Sequence, residues 1–126
     1  MTTKSKILIV DNELDICNFV KSFFEPRGFE VQTAVNGDEA MTRLASFTPD
    51  LVILDVMMRT DTEGLDYLPK VKAVLPHAKV LMITGLNDDK SIALAKSMGA
   101  DDYITKPLVL ENLENTVMNK LKSLKK

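Results

Sequence analysis

Two kinds of apolar segment alternate along the chain. Ile7-Leu8-Ile9-Val10, Leu51-Val52-Ile53-Leu54 and Val80-Leu81-Met82-Ile83 are short runs with no polar interruption. Such runs predict strands buried on both faces, as at the centre of a parallel sheet. Residues 30–34, with Val31, Thr33 and Ala34, and the segment Tyr103-Ile104-Thr105 are weaker strand candidates suited to outer positions. Between the strands the period lengthens to that of a helix. Ile16, Phe19, Val20, Phe23 and Phe24 mark a first helix, ended by Pro26 and Gly28. Ala40, Met41 and Leu44 mark a second after Asn36-Gly37, stopped near Pro49. Leu65, Leu68, Val71 and Val74 mark a third, closed by Pro76, in which Pro69 is tolerable if it falls in the first turn. Ile92, Leu94, Ala95 and Met98 mark a fourth, with Asn87 or Asp88 as cap and Gly99 at its end. Leu110, Leu113, Val117, Leu121 and Leu124 give the fifth.

Strand and helix thus alternate five times with short connections and no linker or repeat. Strict alternation implies right-handed crossovers and helices on both faces of a parallel sheet. The expected fold is a doubly wound α/β domain with strand order 2-1-3-4-5, flavodoxin-like. One domain is expected over residues 1–126, with its core at about 6–124 and a short basic tail.

Composition narrows the function classes. A net charge of -2 leaves no basic face for nucleic acid. The lysines within residues 120–126 read as a solvated helix end, with cations at the negative pole of its dipole. Cys17 is the single cysteine, which excludes an intramolecular disulfide and a cysteine metal cluster. Its apolar neighbours predict a small buried side chain. The N-terminus is polar and the first apolar run too short for a signal-peptide core, and no later segment approaches a membrane span. A cytoplasmic location with no membrane contact is the expectation.

In a doubly wound sheet, ligands sit beyond the carboxyl ends of the strands. After Val10 come Asp11, Asn12 and Glu13; after Leu54 comes Asp55; after Ile83 come Thr84 and Gly85; after Thr105 come Lys106 and Pro107. Any one of these reads as a loop or cap residue. Four strand ends supplying carboxylates, a hydroxyl and an ammonium to one edge read as a site. Clustered oxygen donors suit Mg²⁺, which binds through one or two carboxylates plus waters and phosphate oxygens. A carboxylate beside such a cation can act as nucleophile in phosphoryl transfer, with the cation, an ammonium and a hydroxyl stabilising the transferred oxygens.

The segments Ile-Leu-Ile-Val-Asp-Asn-Glu, Leu-Val-Ile-Leu-Asp-Val-Met-Met, Ile-Thr-Gly and Gly-Ala-Asp-Asp-Tyr-Ile-Thr-Lys-Pro, in this order and spacing, resemble the signatures of response-regulator receiver domains, the CheY-like family of two-component signalling. The resemblance runs over residues 6–124. It implies that Asp55 accepts a phosphoryl group from a sensor histidine kinase or a phosphotransfer protein. It implies that Asp11, Asn12, Asp55 and the backbone carbonyl of Met57 hold Mg²⁺. Lys106 would pair with the phosphoryl group through a loop with a cis bond to Pro107. Thr84 would move to bond the phosphoryl oxygen and Tyr103 would turn inward behind it. The surface of the fourth helix, fifth strand and fifth helix would change for a downstream protein or a C-terminal output domain. Such a domain is no enzyme in the ordinary sense, because the group it takes and loses is on itself.

The chain departs from the family pattern in places. Asn12 stands where a second carboxylate is usual, which removes a formal charge, and Glu13 reads mainly as favourable charge at the first helix's N-terminus. The loop after Asp55 has Arg59 in place of proline and is one residue longer, and Leu108 stands where Phe is common. A second reading is therefore a pseudo-receiver, an interaction module without phosphoryl chemistry, supported by Asn12 alone. A third, an aspartyl-nucleophile phosphatase, needs a general acid two residues beyond the nucleophile, where this chain has Met57. Flavin binding lacks the Gly, Ser and Thr residues that would cradle a phosphate. His77 reads as an exposed loop residue, and the methionines as packing.

Overall fold

A computed structural model describes residues 4–85 and 89–122. Strands β1 (Ser5–Val10), β2 (Phe29–Ala34), β3 (Leu51–Asp55), β4 (Lys79–Thr84) and β5 (Asp102–Thr105) alternate with helices α1 (Leu14–Phe24), α2 (Gly37–Leu44), α3 (Glu63–Val74), α4 (Asp89–Ser97) and α5 (Leu110–Lys122). All strand pairs are parallel, in the order β2-β1-β3-β4-β5. This is the flavodoxin-like arrangement expected from the alternation.

The uninterrupted apolar runs have a simple physical reading. Successive side chains on a strand point to opposite faces, so each run supplies two cores. Leu8, Val10, Val52, Leu54, Val80 and Met82 pack with Ala40, Leu44, Leu65, Leu68, Val71 and Ala95, under α2, α3 and α4. Ile7, Ile9, Leu51, Ile53, Leu81 and Ile83 pack with Cys17, Val20, Phe24, Leu113, Val117 and Leu121, under α1 and α5. Each Val, Leu, Ile, Phe or Met among them contributes roughly 1.5–3 kcal/mol on burial. A polar residue within any of these apolar runs would face one core or the other; the polar residues of the central strands, Ser5, Lys6 and Lys79 at their starts and Asp55 and Thr84 at their ends, flank the runs.

Local chemistry sets the helix limits. Asn36 caps α2 by accepting from the Glu39 N–H at 2.8 Å, and Glu39 reaches back to the Val35 N–H at 3.2 Å, a reciprocal pairing of otherwise orphaned donors. Past α1 the chain makes a 3-10 turn, Glu25–Arg27, and leaves it through Gly28 at φ +90, a left-handed geometry that glycine adopts without strain.

Three expectations need correction. Pro69 is not in the first turn of α3; it is the seventh residue of that helix, so the Leu65 carbonyl loses its donor. Pro69 lies on the exposed side of the helix, where water can serve that carbonyl in its place. Phe19 and Leu94, assigned to helix core faces by spacing, are exposed; Cys17, Val20 and Phe24 form the buried stripe of α1, and Ala95 is the buried residue of α4. The methionines are not uniformly packing, because Met57 and Met118 are exposed. The expected cap at Asn87 or Asp88, and Leu124 with the end of the basic tail, lie outside the described residues. Cys17 is fully buried, and its thiol donates to the backbone carbonyls of Asp11 and Ala34 at 3.3 and 3.8 Å. His77 is exposed, as expected. Among the described residues no helix is long and apolar enough to cross a membrane.

Candidate functional site

Register places the polar strand ends side by side. Asp55 closes β3 opposite Ile83, and Thr84 closes β4 opposite Thr105, the residue before Lys106. Asp11 follows β1, its N–H donating to Ala34 O of β2 at 3.0 Å. The structure brings Asp11, Asp55 and Lys106 into direct contact: Lys106 Nζ lies 3.0 Å from Asp55 Oδ2 and 3.8 Å from Asp11 Oδ2. The peptide bond from Lys106 to Pro107 is cis.

This cluster is buried. Asp11, Asp55 and Thr84 are 0%, 2% and 1% exposed, whereas Lys106 and Tyr103 are half-buried. Asp11 Oδ1 accepts from the Glu13 N–H at 2.9 Å. Asp11 Oδ2 and Thr84 Oγ1 have no hydrogen-bond partner among the described residues. Buried polar atoms are nearly always bonded, and an orphaned one costs about 1–3 kcal/mol. Two orphans within one cluster mark a place arranged for something other than stability.

The electrostatics agree. Burial pushes the Asp55 carboxyl up to about 6; the charge of Asp11 adds to this, and Lys106 opposes it. Asp11 is raised for the same first reason, against the pull of the Glu13 N–H and Lys106. Burial works against the Lys106 ammonium, but its hydrogen bond to Asp55 and the charges of Asp55, Asp11 and Glu13 outweigh that and raise its pKa. Two carboxylates crowded together and answered by one ammonium lack a positive charge.

The remaining candidates sit around this centre. Asn12 is exposed, and its Nδ2 donates to Met58 O at 3.4 Å, a long contact. Met57 is exposed on the loop after Asp55. Tyr103 packs against the core under α3 and α4, with Lys96 Nζ of α4 5.0 Å from its ring centroid. Oxygen donors from Asp11, Asn12, Asp55 and the Met57 carbonyl would make a hard set with two carboxylates, a chemistry that fits Mg²⁺. Glu13 is exposed and provides no side-chain cap to α1.

One residue escaped the sequence reading. Glu63 is 3% exposed and accepts from the N–H groups of Gly37 at 2.7 Å and Arg59 at 2.8 Å. Arg59 Nη2 reaches it at 2.6 Å. The Arg59 hydrogen bond holds the Glu63 carboxyl below its ordinary range, against the effect of burial. The spacing of four between Arg59 and Glu63 was the available signal, since that spacing pairs opposite charges on helices.

The family model for the response regulator receiver domain matches residues 7–118. The alkaline phosphatase synthesis transcriptional regulatory protein PhoP of Bacillus subtilis is 34% identical over 102 residues, 81% of this chain and 42% of that protein. A two-component response regulator from Clostridium difficile is 34% identical, with a TM-score of 0.88 over 94% of this chain and 97% of that one. A CheY-like response regulator receiver domain protein from Methanospirillum hungatei is 29% identical, with a TM-score of 0.90 over 97% of each. The chain spans about half the length of the curated relatives it matches. The matched residues include all four strand ends that meet at Asp55, and the chain belongs to the response regulator receiver domain family of two-component signal transduction.

Proposed function

We propose that the chain is a phosphorylation-controlled switch that takes a phosphoryl group onto Asp55. The observation that carries this reading is the buried Asp55 carboxylate, with Lys106 Nζ at 3.0 Å and the unbonded Asp11 Oδ2 and Thr84 Oγ1 in the same cluster. An Asp55 oxygen attacks the phosphorus of a phosphohistidine donor. A P–O bond forms and the P–N bond breaks; with the donor's other ring nitrogen already protonated, it leaves as neutral imidazole and an acyl phosphate remains on Asp55.

Asp11, Asn12, Asp55 and the Met57 carbonyl would hold Mg²⁺, which when bound supplies positive charge against the phosphoryl oxygens. Lys106 shifts its ammonium from Asp55 to a phosphoryl oxygen. The Thr84 hydroxyl donates to another, which gives that buried group its missing partner. Tyr103 follows Thr84 inward and leaves the Lys96 ammonium. That change re-forms the surface of α4, β5 and α5 for a downstream protein or an output domain.

The donor has a surface to dock on. A groove of about 540 Å³ lined by Glu13, Ile16, Phe19, Lys106, Pro107 and Leu108 opens beside Lys106. Phe19 is 55% exposed on its wall. A sensor histidine kinase or phosphotransfer protein can bury that apolar wall while bringing its histidine to Asp55.

The test is intact mass after incubation with acetyl phosphate. With Mg²⁺ the mass should rise by one phosphoryl group, and with chelator present it should not. No gain under any condition would favour the pseudo-receiver reading, which Asn12 supports. Asn12 also sets a graded prediction. A neutral amide contributes less to a cation than a carboxylate does, by roughly 1 kcal/mol. Asn12→Asp should therefore tighten Mg²⁺ binding about fivefold by titration; equal affinities would remove Asn12 from the donor set.

A further inference from the structure

The loop that leaves Asp55 is held by a buried carboxylate. Glu63 is the first residue of α3, and Gly37 is the first residue of α2. The Gly37 N–H is one of the donors a helix leaves without an internal partner, and Glu63 satisfies it from another element at 2.7 Å. The same carboxylate accepts from Arg59 at its backbone N–H and twice at its guanidinium, with Nη2 at 2.6 Å and Nε at 3.0 Å. Arg59 Nη1 continues to Asp38 at 3.2 Å, and Asp38 also accepts from the Tyr67 hydroxyl.

The loop between Asp55 and Glu63 is therefore closed on itself. It starts with the Val56 N–H on Ile83 O at 3.0 Å and ends with the Gly64 N–H on Val56 O at 2.8 Å. Inside it, the Met58 N–H reaches Thr60 O at 3.1 Å, and Met58 O receives the Asn12 amide. Two of the four proposed cation donors, the Met57 carbonyl and Asn12, thus depend on where this loop lies. The family's usual proline in this loop would stiffen it covalently; here Arg59 occupies that stretch, and the guanidinium–carboxylate contact replaces covalent stiffness with a charge-assisted, multidentate one.

We propose that Glu63 is a positioning residue: through Arg59 it fixes the loop that carries the Met57 carbonyl, and thereby sets the affinity of the site for a divalent cation. The proposal rests on the reading of Asp11, Asn12, Asp55 and Met57 as cation donors. It also separates two roles for Glu63. A carboxylate that only anchors α2 would affect stability alone, whereas a positioning carboxylate affects cation affinity beyond any loss of stability.

The experiment titrates Mg²⁺ into the whole chain by calorimetry and repeats it for Glu63→Gln and Arg59→Met. Thermal midpoints are taken in chelator, and acetyl phosphate labelling rates at saturating Mg²⁺. Glu63→Gln is expected to raise the Mg²⁺ Kd about tenfold and Arg59→Met about threefold, with saturated labelling rates within about twofold of wild type. An unchanged Kd beside a lowered thermal midpoint would reduce Glu63 to a helix anchor and overturn the proposal. Arg59 is half exposed, so Arg59→Met decides the matter if Glu63→Gln does not fold. A wild-type chain that binds no Mg²⁺ would overturn the reading of the site itself, and it is distinguished by appearing without any substitution.

Discussion

Asp55→Asn is expected to abolish phosphoryl uptake and, in pH 7 buffer without divalent cation, to raise the thermal midpoint of the chain. The first effect follows from removing the one carboxylate that closes the central strand beside Lys106. The second follows from its electrostatics. Burial, and then the charge of Asp11, hold the Asp55 carboxyl at about 6, above its ordinary 3.8. The folded chain therefore holds this proton more tightly than the unfolded chain does. Its contribution to stability is fully present below about pH 3.8 and is lost as pH rises through about 6. A gap of about two pKa units corresponds to roughly 2–3 kcal/mol. The amide keeps the shape without the charge, and it frees Lys106 to answer Asp11 alone. Melting curves from pH 4 to pH 8 should show the variant ahead by roughly 5–10 °C at the upper end and level with wild type at the lower. Coincident curves at pH 8 would show that Lys106 neutralises Asp55 completely, and undiminished labelling of the variant would remove Asp55 as acceptor.

Gly64→Ala should be the most damaging small substitution on the chain. An added Cβ would lie 2.0 Å from the Asp55 carbonyl oxygen and 2.8 Å from both Asp55 C and Val56 Cα. These are backbone atoms of the acceptor strand, so no rotamer change relieves the contact. Either α3 withdraws, breaking the Gly64 N–H bond to Val56 O, or the end of β3 shifts and carries Asp55 away from Lys106. The expected loss is about 3 kcal/mol, the upper end for overpacking, with a fall in midpoint of roughly 10 °C. At Gly85 no described atom lies within 4 Å of the same added group. Gly85→Ala is the control, expected within about 0.5 kcal/mol of wild type. Equal midpoints for the two variants would show that α3 adjusts without cost.

The residues that fix the architecture are those whose burial depends on the strand itself. Three runs such as Ile7 to Val10 have no polar face, which suits interior strands of a parallel sheet, and the acidic or hydroxyl residue after each then lies on its carboxyl edge. That reasoning, extended to the weaker fifth strand, put Asp11, Asp55, Thr84 and Lys106 on one edge of the sheet. It failed where burial depends on neighbours far along the chain. Glu63 received no role because nothing near it in sequence predicts that Gly37, 26 residues earlier, donates to it. Phe19 reads as core because helical periodicity defines a stripe but not its edges; Phe19 lies about 100° or more around the helix from each of Cys17, Val20 and Phe24. Pro69 misled for a related reason: α3 already starts at Glu63, within the loop network, which the altered loop sequence obscured.

The thiol beneath the site has a practical consequence. Cys17 is the only cysteine, and the chain has no tryptophan. Burial, with the charge of Asp11 next, pushes its pKa up to about 11, so very little thiolate exists at neutral pH and no alkylating reagent reaches it in the closed fold. Modification must await an opening that exposes α1 and the end of β1, and its rate becomes a clock for that opening. The native chain thus carries its own optically silent reporter beside the backbone of Asp11. Alkylation followed by mass can time how far Mg²⁺ or a phosphoryl group slows the breathing of the domain, with no engineered probe to disturb it.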